Sequence, residues 1–379
     1  MNNDPTIAIP SDETRTGPEA GAALCLSGGG YRAMLFHVGV LWRLYETQLL
    51  QPMQRISSVS AGSIAAAVLA LAWKRLSFDP AQLSTDFLAL VVEPLRGMAR
   101  ESIDLESVAL GTFIPGTTIS DRITAAYDIQ LFHGATLQDL PDEPRFVINA
   151  MNVQSGALWR FSKKAMRDYR VGEFKNPTVP LARAVAASSA LPPMLSPCEI
   201  ELRPGSVTPG SGTDLEHGDF IKRAVLTDGG VYDNMGLETA WKRYTTIFVS
   251  DAGAKPMPEG VPKSDWPRHA FRVLELIDNQ VRSLRKRQII EGFIAKERQG
   301  AYWGIRTNIA DYGVADALPC PFDRTLALAG TPTRLKRMPE DVQERLINWG
   351  YAVCDAALRS HVNPALRAPT GFPYPNAGV

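Results

Sequence analysis

Three short stretches of this sequence hold residues of the type and spacing that nucleophilic chemistry needs. The first is Ser58-Val59-Ser60-Ala61-Gly62, a variant of the G-x-S-x-G elbow with serine at the first small position. A serine on a sharp strand-to-helix turn has close neighbours and a strained backbone, so small flanking residues let the chain turn and leave Oγ exposed. The helix that follows points its positive end at the same place, which favours an oxyanion there. The second stretch is Ser27-Gly28-Gly29-Gly30-Tyr31-Arg32-Ala33. Its consecutive glycines let bare N–H groups converge on one point, which suits an oxyanion hole and equally a phosphate cradle. It also contains G-x-G-x-x-A at Gly28, Gly30 and Ala33, a dinucleotide fingerprint. That fingerprint needs an acid about 20 positions on to hold a ribose. Gln51 to Ser60 contains none and holds the serine turn instead, so acyl chemistry explains both motifs and nucleotide binding only one. The third stretch is Asp228-Gly229-Gly230. A carboxylate beside two glycines can approach another segment closely, but an ordinary turn aspartate is the commoner role of an Asp-Gly pair.

The surrounding residues supply elements that can hold these groups. Ala22 to Ser27 is a short apolar run bounded by glycines, which reads as a buried strand, and Tyr31 to Leu50 repeats apolar residues at helical spacing (Leu35, Val38, Leu41, Leu44). A second strand-turn-helix unit follows, with β-prone Arg55 to Val59, a turn at Ser60 to Gly62 and Ala- and Leu-rich Ser63 to Arg75. Two such units predict an α/β sheet. Arg145 to Asn152 and Ala157 to Phe161 read as a hairpin, Thr178 to Ala190 as a helix, Ala224 to Thr227 and Thr245 to Ser250 as strands, and 203–219 as a Gly- and Pro-rich loop. Two long amphipathic helices are expected at about Ala270 to Lys296 and Glu340 to Arg359, the second aligning Val342, Leu346, Trp349 and Val353. The apolar stretches Leu88 to Leu95 and Gly111 to Ile119 fit core packing by default, with a lid or acyl pocket as the alternative.

Composition removes several classes. The 379 residues carry 40 Lys+Arg against 40 Asp+Glu, so the bulk positive charge of a nucleic-acid binder is missing and none is expected as partner. Cys25, Cys198, Cys320 and Cys354 form no CxxC pair and read as reduced thiols of a cytoplasmic protein. No HExxH motif or Cys/His cluster is present, so neither a metal nor another cofactor is expected. Ala61 to Trp73, the most apolar helical stretch, is shorter than the roughly 20 residues a bilayer crossing takes. Among His37, His133, His217, His269 and His361, none follows a strand where a triad histidine would be placed; His37 lies inside the first helix.

Taken together, SGGGYRA, SVSAGS and TDGGVYDN resemble the motifs of the patatin-like phospholipase family of Ser/Asp lipid acyl hydrolases, and Ala184 to Pro197 (AVAASSALPPMLSP) is similar to that family's small-residue and proline block. The resemblance covers roughly Ala22 to Asp251. Two departures are Ser58 and Ala33, where the family often has glycine; both remain small. The resemblance implies a three-layer α/β/α sandwich around a mostly parallel sheet, with Ser60 as nucleophile, Asp228 as its base and the N–H groups of Gly28, Gly29 and Gly30 as oxyanion hole. Arg32 is then expected either to order the glycine loop or to meet a lipid phosphate, Asp233 and Asn234 to be turn residues, and Asp251 a reserve acid. The implied substrate is a phospholipid, lysophospholipid or other acyl ester. Peripheral membrane contact through Arg282, Arg285, Lys286 and Arg287 competes with a plainly solvated helix face. The expected organisation is an N-terminal arm (1–21), a catalytic domain (22–255), a helical extension packed on it (256–362) and a Pro-rich tail (363–379). On the residues alone, a regulatory protein binding a phosphate or nucleotide ligand through SGGGYRA and a catalytically silent interaction protein stay open as alternatives.

Overall fold

The computed structural model describes residues 17–79, 85–103, 118–193 and 195–379. Most of the expected N-terminal arm, most of the 111–119 stretch and Met194 of the proline block lie outside the described residues. The two strand-turn-helix units form in the expected order: β1 (Glu19–Leu26), α1 (Gly30–Glu46), β2 (Arg55–Val59) and α2 (Ala61–Ala72). Helix α1 stops short of Leu50 because Gln48 takes a φ of 60° and turns the chain back toward β2. The expected hairpin is β3 (Arg145–Asn152) and β4 (Ala157–Phe161), and it continues into β5 (Ala165–Asp168) and β6 (Gly172–Lys175). Then come α3 (Leu181–Ser188), β7 (Cys198–Glu201), β8 (Arg223–Asp228) and β9 (Tyr244–Asp251). Last are α4 (Trp266–Ile294), β10 (Gln299–Gly304) and α5 (Glu340–His361).

Strands β10, β9, β1, β2 and β3 lie side by side and parallel, while β4, β5 and β6 extend the sheet antiparallel. Alternate residues of β1 face opposite layers: Leu24 and Leu26 join the core under α1, α2 and α5, whereas Ala23 and Cys25 join a smaller core with Ile247, Val249 and Ile289 of α4. That arrangement is a three-layer α/β/α sandwich around a mostly parallel sheet. β10 has no β-branched residue and two glycines, so Tyr302 and Trp303 are its only strand-favouring residues; it pairs with β9 along its whole length because β9 otherwise presents a free edge there.

Helix α5 packs across α1 with almost no space between backbones. A methyl group on Gly39 would stand 1.9 Å from the Ile347 carbonyl oxygen, and one on Gly350 2.0 Å from that of Phe36. The expected apolar face is inside, with Leu346, Trp349 and Val353 fully buried, and so is much of the polar face. Buried Asp355 is bracketed there by Arg43 and Arg359, whose Nε atoms each donate at 2.9 Å. Val91, Val92 and Leu95 of the first apolar stretch are buried, in agreement with core packing.

Candidate active site

The register of β3 sets the central geometry. Its residues 148–152 pair with β4 on one edge, so the opposite edge takes β2 at Arg145 to Asn149 and then β8, running the other way, at Ala150 to Asn152. Val59, the last residue of β2, sits opposite Asn149, and Asp228, the last of β8, opposite Ala150. Two strands therefore meet end to end, and each must leave the sheet at once. The chain leaves β2 through Ser60, which takes φ 53° and ψ −126°, a positive φ that costs a residue with a side chain. It leaves β8 through Gly229 and Gly230. A Cβ on Gly229 would lie 2.4 Å from the Asn149 carbonyl oxygen, so only glycine fits there.

The collision brings Ser60 and Asp228 together. Asp228 is 4% exposed, and its Oδ1 accepts from the Gly230 N–H at 2.7 Å. Burial pushes its pKa up to about 7, against the opposing pull of hydrogen bonds from the Gly230 N–H and the Ser60 hydroxyl, with the nearby Asp278 carboxylate adding a small upward push. A carboxylate with that affinity is a far better base for a hydroxyl than an ordinary aspartate.

The proline-rich block that sequence reading could only compare with a family pattern splices the two ends together. The Ser188 hydroxyl oxygen accepts from the Ser60 N–H at 2.9 Å and the hydroxyl donates to the Asn149 carbonyl at 2.7 Å. The Ser188 carbonyl takes the Gly229 N–H at 3.2 Å, and the Ala190 carbonyl takes the Asp228 N–H at 3.0 Å. Ser63 and Ser58 extend this buried network beneath the elbow. The serine that stands at position 58 thus uses its hydroxyl as a strut. Nothing in the spacing of AVAASSALPP singles out Ser188 from its neighbour Ser189, whose hydroxyl points elsewhere, to the Val185 carbonyl.

The glycine loop lies against the serine. A methyl group on Gly28 would be 2.5 Å from Asn234 Oδ1 and 2.9 Å from Ser60 Cβ. Of the three N–H groups expected to face an oxyanion, that of Gly28 is already donated to the Asn234 carbonyl at 3.1 Å. This corrects the expectation for Gly28: it supplies space, while the N–H groups of Gly29 and Gly30 meet no acceptor among the described residues. Gly29 and Gly30 have φ of 147° and 64°, and beyond them the Tyr31 N–H is anchored on the Arg334 carbonyl at 3.2 Å.

Arg32 is 1% exposed, with Nε and Nη2 donating to the Ala252 carbonyl at 3.3 and 3.0 Å and Nη1 to the Thr331 carbonyl. Its geometry is that of a loop-ordering residue; no donor of the guanidinium is turned to a lipid phosphate at Ser60. His37 is fully buried, bonded at 2.9 Å to both the Ser250 hydroxyl and the Ser27 carbonyl, and burial lowers its pKa to about 4. It is a neutral brace between the ends of β1 and β9. Asp233 accepts the N–H groups of Met235 and Glu238, as a turn residue does, and Asn234 fixes Gly28. Asp251 is engaged by Tyr302 Oη at 2.8 Å and by the Gly253 N–H at 3.0 Å. No group of His, Cys, Asp and Glu among the described residues is placed to hold a metal.

The basic group on α4 is not one patch. Arg282 is buried, Arg285 pairs with Glu238 at 2.8 Å, and Lys286 lies 4.7 Å from the Tyr302 ring centre. Among the described residues, no helix is long and apolar enough to cross a membrane.

Comparison with known proteins agrees with this architecture. Human GIVD cytosolic phospholipase A2 in complex with methyl gamma-linolenyl fluorophosphonate superposes with a TM-score of 0.51 and 16% identity, over 92% of this chain and 59% of that one. Its complex with the same inhibitor and terbium chloride gives 0.50 and 14% identity over the same shares. At these identities the likeness concerns the fold, and this chain spans 59% of the length of those relatives. No curated protein sequence matches the chain. A family model described as Patatin-like phospholipase matches residues 24–241, more than half of the sequence, and the chain therefore belongs to the patatin-like phospholipase family.

Proposed function

We propose that this protein is a serine acyl hydrolase that cleaves fatty-acyl esters of phospholipids or lysophospholipids, with Ser60 as nucleophile and Asp228 as its base. The observation that carries the reading is the meeting of β2 and β8, which sets a strained, partly exposed Ser60 against a buried carboxyl poised near pH 7. Membership of a phospholipase family supports the lipid class of substrate.

Asp228 takes the hydroxyl proton as Ser60 Oγ bonds to the ester carbonyl carbon, and the carbonyl electron pair moves onto oxygen. The open N–H groups of Gly29 and Gly30 receive that oxyanion. Collapse expels the alcohol portion of the lipid, which takes the proton from Asp228, and leaves an acyl ester on Ser60. Water then loses a proton to Asp228 and attacks that ester, and the proton returns to Ser60 as the fatty acid leaves. Histidine is not needed in this reading, because burial, helped by the Asp278 carboxylate, gives Asp228 the basicity that a histidine would otherwise supply. The protein acts in this reading from the cytoplasm on a lipid surface.

The test uses the probe class that the human relative was solved with. A fluorophosphonate should form an adduct on Ser60 of the wild type, mapped by mass spectrometry, be absent from Ser60→Ala and be strongly slowed in Asp228→Asn. A wild type that stays unlabelled in the presence of phospholipid vesicles overturns the reading.

A further inference from the structure

Outside the Ser60 site, the carboxyl ends of β9 and β10 open onto a cavity of about 440 Å³. Its charged lining consists of Lys255, Arg282, Lys286 and Arg306 with Asp251 and Asp311, an excess of two positive charges (four cations less two carboxylates). Arg282 is only 8% exposed, and its Nη2 donates to Asn279 Oδ1 at 3.2 Å, yet its Nη1 meets no hydrogen-bond acceptor among the described residues. The nearest carboxylate oxygen, Asp251 Oδ1, is 4.0 Å away and is itself occupied by the Gly253 N–H. The guanidinium has room only because residue 253 is glycine, where a Cβ would stand 2.0 Å from Nη1. Arg306 adds to this: its Nη2 donates to the Ala329 carbonyl, its Nε is buried and has no acceptor among the described residues, and burial together with the charge of Arg282 works against its own charge.

Buried donors without acceptors are rare in folded proteins, and two guanidinium groups repelling each other across one cavity make the absence of an acceptor costlier still. An anion with several acceptor oxygens removes both penalties at once. Guanidinium forks match phosphate in this way, and Lys286 and Lys255 add point charges at the rim. The cavity is larger than one phosphate group, and Asn279, Ser283 and Phe322 along its wall offer polar and aromatic contacts to the body that carries it.

We infer that this cavity binds a phosphate-bearing ligand through Arg282 and Arg306, at a site separate from Ser60 and Asp228. The site is independent of the acyl-transfer reading, so Ser60→Ala should bind as the wild type does. The phosphate has two possible sources, a small soluble phosphate ester or an anionic lipid headgroup.

The experiment titrates the full chain with inorganic phosphate and with glycerol 3-phosphate by calorimetry at constant ionic strength. In parallel, it measures sedimentation with phosphatidylcholine vesicles with and without phosphatidic acid. Saturable binding in the soluble arm, weakened roughly tenfold or more by Arg282→Gln and by Arg306→Gln, supports the site with a soluble ligand. Binding only to phosphatidic acid vesicles, with the same loss in both variants, supports it with a lipid headgroup. Arg306 is half-exposed, so Arg306→Gln and Lys286→Gln decide the matter if Arg282→Gln fails to fold. No binding in either arm, or binding unchanged by folded Arg306→Gln and Lys286→Gln, overturns the inference.

Discussion

The turns after β1 and β2 stand side by side and begin equivalent helices, yet they are built from different residues and tied down by different partners. After β2, the Ser60 N–H is taken by the Ser188 hydroxyl, which ties the turn to the segment leading into β7. After β1, the N–H groups of Gly29 and Gly30 have no partner among the described residues, although the loop around them is tied down by Gly28 to Asn234, by Tyr31 to Arg334 and by Arg32 to Ala252. One turn carries the proposed nucleophile, and the other carries the donors proposed to receive the oxyanion. Preorganisation of that kind is what electrostatic stabilisation of a developing charge requires, since donors already in place need not reorganise.

Breaking the presenting turn should have the largest effect. Ser60→Ala is expected to lower ester hydrolysis by roughly three orders of magnitude or more, and Asp228→Asn by a similar factor, because groups that act as a unit fail together. Asparagine can still accept the Gly230 N–H, so circular dichroism should find Asp228→Asn folded. Filling the open turn comes next. Gly30→Ala would set a Cβ 2.6 Å from the Arg334 nitrogen at a φ of 64°, and both backbones would have to shift. Denaturant titration should find a loss of about 1–3 kcal/mol, with hydrolysis falling further than stability accounts for.

Loosening the presenting turn is subtler. Ser188→Ala leaves the Ser60 N–H without its acceptor and is expected to lower kcat by roughly 10- to 100-fold while KM stays within a factor of about two. A purely structural role would move the melting temperature and not that ratio, and Ser188→Thr should recover part of the rate.

The smallest effect concerns pH. Hydrolysis should rise as Asp228 ionises, with a midpoint near 7. A limb at that pH resembles a histidine, so His37→Gln is the control: buried and neutral, His37 should leave the midpoint in place. Stability should move the opposite way. Folded Asp228 keeps its proton up to about pH 7, whereas in the unfolded chain it is released near 3.8, so its contribution falls as pH rises between those values. Asp228→Asn should remove that fall, a linkage contribution of up to about 4 kcal/mol at pH 8 for a shift from 3.8 to about 7.

Much of the sheet was readable because its signals are local. β2 and the β3–β4 hairpin occur at the expected residues, and β1, β8, β9, α4 and α5 within a few positions, since apolar runs and 3.6-residue spacing survive any tertiary context. β5, β6, β7 and β10 escaped notice. β5, β6 and β7 have four residues each, and β10 exists because β9 offers it an edge, which its two glycines do not announce. At the candidate site, the flanking small residues pointed to Ser60, and the glycines to an open loop. Ser188 stayed hidden among identical neighbours, and the occupied N–H of Gly28 depends on Asn234, more than two hundred residues away. Arg282 looked like one of four exposed cations on a helix face; burial turned it inward.

By itself, then, the sequence determined which residues can turn sharply, which strands and helices they join, and the family they belong to, because small side chains, glycines and apolar periodicity act over a few residues. Only the tertiary structure decided that the Asp228 carboxyl is buried and holds its proton more tightly than an ordinary aspartate. An aspartate acquires a pKa near 7 by losing water, and what removes the water is the end-to-end meeting of β2 and β8 on one edge of β3.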